Sequence, residues 1–430
     1  MRWANAVAVR GRYKGLQYPK ETAQAFESGD GPSTPSGSPW VDAARNVSKM
    51  ICGAPSVTEI ENLVSYYSRR IAVNMIWVDS PSNPYRRLVI PRARSSPFLL
   101  LAILAVSAEH MVPRQPSLVE FAPKARDVVI SRITNELSRL TERPSIGEPQ
   151  DVLDQETAEW VLSAMLILSN YECIGDKSTA WCSHRLGARL LVNGFAGSGA
   201  ESSELFRFLR AQFSIYDVLA STTTRFYLGI DGVTLPKRGD PEALLSEYIR
   251  LIHQVTLYIA DKRTAVHRVP NPSAFRVECE RIRGLTLMNA ATSASLKDEL
   301  TRINFIQLVG VHHSAALLYA YRCVYDFTSA DPHIFLTAQK LFEELENCAS
   351  NDALIQHLTW PAFIAGTECH GSDERQRLVL KWYMDIIKNT GFSNYSVVIS
   401  FLEELWRNEP EGWLERAETW ERGGKPLLAA

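Results

Sequence analysis

The sequence has no cysteine before Cys52 and nowhere spaces two cysteines as C-x-x-C. Its seven cysteines, Cys52, Cys173, Cys182, Cys279, Cys323, Cys348 and Cys369, are scattered through 430 residues. An odd, scattered set excludes a disulfide scaffold and a zinc-finger spacing. It fits a reduced, intracellular protein whose thiols are small buried hydrophobes. Residues 1–15 lack the apolar stretch of a secretory signal. The longest apolar run, Phe98–Val106, is far shorter than the roughly 20 residues a bilayer crossing needs. It predicts a buried helix and no membrane partner. Neither charge sign dominates: 46 Lys and Arg face 48 Asp and Glu, for a net charge of −2. The chain as a whole is therefore no nucleic-acid binder, and any DNA contact must come from a local patch.

Sites of chemistry are equally sparse. There is no G-x-x-x-x-G-K-[ST] phosphate loop, no G-x-G-x-x-G, no G-x-S-x-G elbow and no H-E-x-x-H. The dense ligand pairs are His312-His313 and Cys369-His370, with Cys182 and His184 close behind. Neighbours on a helix point about 100° apart, so His312 and His313 do not share a metal, and His313 is expected as a satisfied core histidine. No catalytic, cofactor-binding or metal-binding residue is assigned.

What the sequence does contain is helix after helix. Apolar residues make up 46% and charged residues 22%, enough for a large globular core. Ser96-Pro97 marks a helix start, and after Glu159 the run to Tyr171 is nearly all apolar apart from Ser163, Ser169 and Asn170. A helix over 178–191 is expected to stop at Asn193-Gly194. Stripes at spacings of three and four run through Leu205, Leu209, Phe213, Tyr216 and Ala220, and through Leu245, Tyr248, Ile252, Val255 and Ile259. Others run through Ile306, Val309, His313, Ala316 and Ala320, through Phe335, Ala338, Leu341, Leu345 and Cys348, and through Val397, Phe401 and Leu405. A helix over 372–388 ends at Gly391. Period-two alternation is nearly absent. The fold class is all-α, with about twelve to sixteen helices by typical helix and loop lengths.

Two ends differ from this body. Residues 1–20 carry Arg2, Arg10, Arg12, Lys14 and Lys20 with no acid, and residues 28–39 read SGDGPSTPSGSP. Residues 1–57 are thus expected as a basic, flexible segment, with Arg2, Arg10, Arg12 and Lys14 as candidate DNA-backbone contacts. Residues 58–407 form the helical body. Residues 408–430 are an acidic-aromatic tail, read as an amphipathic helix packing back through Trp413, Ala417 and Trp420.

Ordered blocks add a resemblance. Tyr66-Tyr67, Asn83-Pro84-Tyr85-Arg86 and Ile90-Pro91 lead into Ser95–Ala105. Leu168-Ser169-Asn170-Tyr171-Glu172 precedes Trp181, His184, Leu186, Gly187 and Ala188. Then come Phe208-Leu209-Arg210, Phe213, Asp217–Ser221 and Leu317–Arg322. Trp360–Gly366, Arg375, Gly391-Phe392 and Leu405-Trp406 close the series. In this order they resemble the second type of fungal-specific transcription factor domain, the long helical middle homology region of binuclear zinc-cluster regulators. Arg2–Gly15 is similar to the segment that follows the last zinc ligand in such proteins, although the cluster's six cysteines are absent. The resemblance implies a nuclear, effector-responsive regulator of RNA polymerase II genes. DNA would be read by a missing cluster or a partner factor. It also implies pairing as a homodimer or heterodimer, a small-molecule effector, and zinc only if an upstream cluster exists. Two alternatives stay open: a metabolite-binding protein or biosynthetic enzyme, and a pure interaction module. Physically, Pro361 is expected to kink a helix, Gly366 to permit close packing, and Trp181 and Trp406 to anchor the core.

Overall fold

A computed structural model describes residues 3–4, 7–8, 38–141, 154–175, 179–195, 203–224, 229–230, 232–238, 244–261, 269–293, 296, 298–325, 327–328, 331–407 and 412–430. The chain divides into a short unit, Met1–Ser38, and a large one, Pro39–Ala430. In the short unit β1 (Trp3–Ala4) pairs antiparallel with β2 (Val7–Ala8), Trp3 opposite Ala8. The flexible segment expected over 1–57 falls partly outside the described residues. Its part from Pro39 onward belongs to the large unit, where α1 (Val41–Met50) buries Ala43, Ala44 and Val47.

The large unit is all-α, with sixteen helices among the described residues. Two helices that are apolar on every side organise it. The first is α4 (Pro97–Met111), whose residues Leu99 to Ala108 are all buried. Ser96 is its N-cap and Pro97 its first residue, where the missing N–H costs no helix bond. Around it pack α1, α2 (Val57–Tyr66), α3 (Ile90–Ala93), α5 (Phe121–Thr141) and α6 (Gln155–Ile174). A capping box in which Ser56 and Glu59 exchange hydrogen bonds starts α2. Among the described residues no single helix is long and apolar enough to cross a membrane.

The second is α11 (Glu299–Cys323), buried almost without a break from Leu308 to Tyr321. It packs against α9 (Ser246–Asp261), α10 (Pro272–Thr292), α12 (Pro332–Ala349) and α13 (Thr359–Gly366). Behind these lie α14 (Asp373–Thr390), α15 (Tyr395–Arg407) and α16 (Trp413–Arg422). Trp413 packs edge-on against Phe363, and Trp420 against Phe401. The last residues turn back inward: Leu427, Leu428 and Ala429 are buried, and Thr223 donates to the Leu427 carbonyl.

Two apolar cores result, and α8 (Glu204–Ser221) runs through both. Its first half gives Leu205, Phe206, Phe208, Leu209 and Phe213 to the α4 core. Its second half gives Ile215, Val218, Leu219 and Ala220 to the α11 core. α7 (Trp181–Gly194) packs beside it and ends at the expected stop, Asn193-Gly194. Two stripes need correcting. Ile306 is 48% exposed and Phe335 56% exposed, while the neighbouring Phe305 and Ile334 are buried. Pro361 begins α13 rather than bending a helix, because it stands in the first turn where its N–H has no intrahelical partner to lose. Gly366 does allow close packing, since a Cβ there would meet Leu402 at 2.8 Å.

Candidate functional site

The two cores meet at a pocket of about 170 Å³. One wall is the strap of residues 72–84, which leaves α2 through a π-helical turn (Tyr67–Ile71) and re-enters a helix through another (Tyr85–Val89). Such turns widen the helix and free backbone groups, so they often border sites. Asn83 pins the strap from within. Its side-chain amide donates to the Ala72 carbonyl (3.0 Å) and to Asp79 (2.8 Å), and its Oδ1 accepts from the Tyr85 N–H. Arg86 adds bonds to the Ser68 and Ser80 carbonyls and an ion pair with Asp79. The strap thus presents Asn74, Met75, Ile76 and Trp77 to the pocket.

Three rings, His312, His357 and Trp360, face the Trp77 of the strap. Trp77 stands edge-on to His312 and tilted to His357, both at 5.0 Å between centroids. His312 stacks near-parallel on Trp360 at 6.4 Å. The indole N–H of Trp360 is spent on the Thr222 hydroxyl (3.1 Å). α6 contributes Ser169 and Asn170, whose side chains bond back to the Met165 and Leu166 carbonyls. Leu166, Ile215, Leu219, Phe392, Tyr395 and Leu428 add apolar surface, and Asn74, Gln212, Gln356, Thr359 and Thr390 add polar groups. No Asp, Glu, Lys or Arg is among the lining residues.

Protonation follows from that composition. Burial lowers His312 to about 4 against a weak opposing bond to Leu308, and it lowers His357 to about 3. Both imidazoles are therefore neutral near pH 7. His312 Nδ1–H donates to the Leu308 carbonyl at 3.0 Å, which leaves Nε2 with a bare lone pair. That Nε2 has no hydrogen-bond partner, and neither has the buried Tyr216 hydroxyl. Burial raises the Tyr216 hydroxyl well above its ordinary value, so it stays protonated. The site can hold a neutral molecule and satisfy its polar group.

Other polar clusters are structural. Asp217, fully buried, takes Arg185 (2.6 Å) and Arg189 (2.8 Å) and also accepts from the Thr234 N–H. This ties α7 and α8 to the 232–238 segment. His313, as expected, is satisfied: Tyr248 lies 3.1 Å from Nδ1 and Glu280 3.3 Å from Nε2. It faces away from the pocket that His312 lines, as the turn of the helix requires. Arg2, Arg10, Arg12 and Lys14 lie outside the described residues. Sequence reasoning passed over Trp77, Tyr216 and His357. The one signal was the break of polarity at Ser169 and Asn170 in an otherwise apolar helix.

A binuclear zinc centre does not fit the described residues. Among them no three His, Cys, Asp or Glu side chains group as a metal site. Burial pushes the thiols of Cys173, Cys182, Cys279 and Cys369 up to about 12, against the thiolate that zinc needs.

The family model described as the fungal specific transcription factor domain matches residues 62–422. No curated protein and no solved structure matches the chain significantly. The matched span runs from α2 to the end of α16, across both cores. Five of the blocks that carry the resemblance reach the pocket, through Tyr85, Ser169 and Asn170, Leu219, Trp360, and Phe392.

Proposed function

From the premise that this chain belongs to the fungal specific transcription factor domain family, and is a fungal transcription regulator, we propose that its helical body senses an effector. The carrying observation is the pocket where the two cores meet, lined among others by His312 and Tyr216, whose Nε2 and hydroxyl are buried and unpartnered. Buried polar atoms without partners cost free energy, so a ligand that satisfies them gains affinity from the site's own deficit. A ligand touching both cores also changes how they pack, which is what an effector must do to a regulator.

In this reading the protein works in the nucleus on genes of RNA polymerase II and carries out no catalysis. DNA is read by a binuclear zinc cluster ahead of this stretch, or by a partner regulator in a homodimer or heterodimer. Arg2, Arg10, Arg12 and Lys14 add salt-sensitive contacts to the phosphate backbone. The test is a reporter in a fungal host, driven by the full chain fused to an unrelated DNA-binding domain. Output should differ severalfold from that domain alone. Output equal to the domain alone, with the fusion expressed and nuclear, would sink the reading.

A further inference from the structure

We propose that the pocket between the cores binds an uncharged, single-ring aromatic molecule that carries a hydrogen-bond donor, phenol being the simplest of the class. This deepens the effector-sensing reading and rests on it for its biological meaning. The binding itself is measured on purified protein, so its failure is distinct from a silent reporter.

Size comes first. An apolar cavity of about 150 Å³ holds one benzene, and this one measures about 170 Å³. One six-membered ring with a small substituent fills it. The walls set the chemistry. Trp77, His312 and Trp360 offer aromatic faces and edges at mutually compatible angles, and Ile215 and Leu219 offer aliphatic surface. Rings are favoured in such surroundings over flexible chains, which lose more conformational freedom on binding.

Charge is excluded next. No Asp, Glu, Lys or Arg side chain lines the pocket to pair with a charged ligand, and an unpaired buried charge is costly. The donor requirement comes from His312. It is fully buried, and its Nδ1–H is committed to the Leu308 carbonyl. Its Nε2 can only accept, and nothing in the protein donates to it. A phenolic O–H supplies that proton in a neutral hydrogen bond, with no transfer. The Tyr216 hydroxyl serves a second polar atom of the ligand, or a water that comes with it.

The experiment titrates the purified full chain at pH 7 with phenol, toluene and benzoate, by calorimetry and by thermal unfolding. Phenol should bind at least tenfold more tightly than toluene and raise the melting temperature. Benzoate should not bind. In His312→Leu the advantage of phenol over toluene should vanish while toluene still binds, which also reports that the variant is folded. Should His312→Leu fail to fold, Tyr216→Phe serves instead, with phenol weakened severalfold and toluene unchanged. Equal affinities for phenol and toluene in the unaltered protein overturn the proposal, as does benzoate binding as well as phenol. Binding of none of the three means that the pocket holds ordered water only, and this too overturns it.

Discussion

Gly391 sits at φ +74°, the left-handed turn that ends α14, and a Cβ there would lie 2.2 Å from His110 Nε2. His110 uses that nitrogen to donate to the Thr390 carbonyl at 2.8 Å, while the Tyr66 hydroxyl bonds its other nitrogen at 2.7 Å. One small residue thus lets a histidine of the α4 core cap a helix of the α11 core. Gly391→Ala combines backbone strain with a clash, so it should cost about 2–4 kcal/mol of stability, measurable as a lowered urea midpoint. An unchanged midpoint would mean that His110 swings away freely. Asp217 makes the complementary case. Arg185 beside it is fully buried, and desolvation already lowers the basicity that Asp217 supports. Asp217→Ala leaves that charge uncompensated, at a cost of about 3–5 kcal/mol in the same titration. At this scale the sequence was half legible. Gly391 reads as a helix stop from its own type, but its dependence on the distant His110 does not. His312 and His313 look alike in the sequence. Only the 100° turn between them decides that one is satisfied by Tyr248 and Glu280 and the other is left open to the pocket.

Among the elements, the strap of residues 72–84 carries most of the local logic. It is held between two π-helical turns, and besides the buried Ala72 and Trp77 its order rests on Asn83 and Arg86. Asn83→Ala removes three bonds, among them donation to the Ala72 carbonyl and to Asp79. Lost buried hydrogen bonds cost about 1–3 kcal/mol each when a partner is stranded. Amide exchange over 72–84 should therefore speed up while α4 and α11 keep their protection. Acceleration spread evenly over the whole chain would instead make Asn83 a residue of global stability. Long apolar elements were legible as such: α4, α6 and the Gly391 stop all lie where composition and turn chemistry put them. Stripes failed where a helix has more than one buried side. α11 is covered all round from Leu308 to Tyr321, so periodicity could not tell that Ile306 faces out. In α12 the stripe holds from Ala338 to Cys348, and only its first member differs, Ile334 being buried where Phe335 is exposed. The strap itself was not legible, because π turns are made by tertiary packing and leave no periodic mark.

For the whole molecule the question is whether the two cores act as one. The family match covers both, α8 runs unbroken through both, and the pocket takes its walls from both. Acid offers a way to ask. His312 and His357 face the same pocket with folded values of about 4 and 3, each lowered by desolvation, against about 6.5 in an unfolded chain. Their folded values are depressed, so below pH 6.5 the unfolded chain binds protons that the folded one refuses. Stability is therefore full above that pH and falls as pH drops towards 4. Each group contributes a slope of up to about 1.4 kcal/mol per pH unit once the unfolded chain is protonated. Urea midpoints at pH 7, 5.5 and 4.5 should decline, and His312→Leu should decline less steeply, since it removes one titration while those of His357, His253 and His313, also lowered by burial, remain. A parallel decline in the variant would place the acid lability elsewhere. Because the protonation strikes the surface the cores share, amides of α4 and α11 should lose protection together. If α11 opens first while α4 stays closed, the continuous α8 does not couple them. A ligand in the pocket would then reshape the α11 core alone, and the regulatory signal would have to leave through α11 to α16 rather than through the body as a whole.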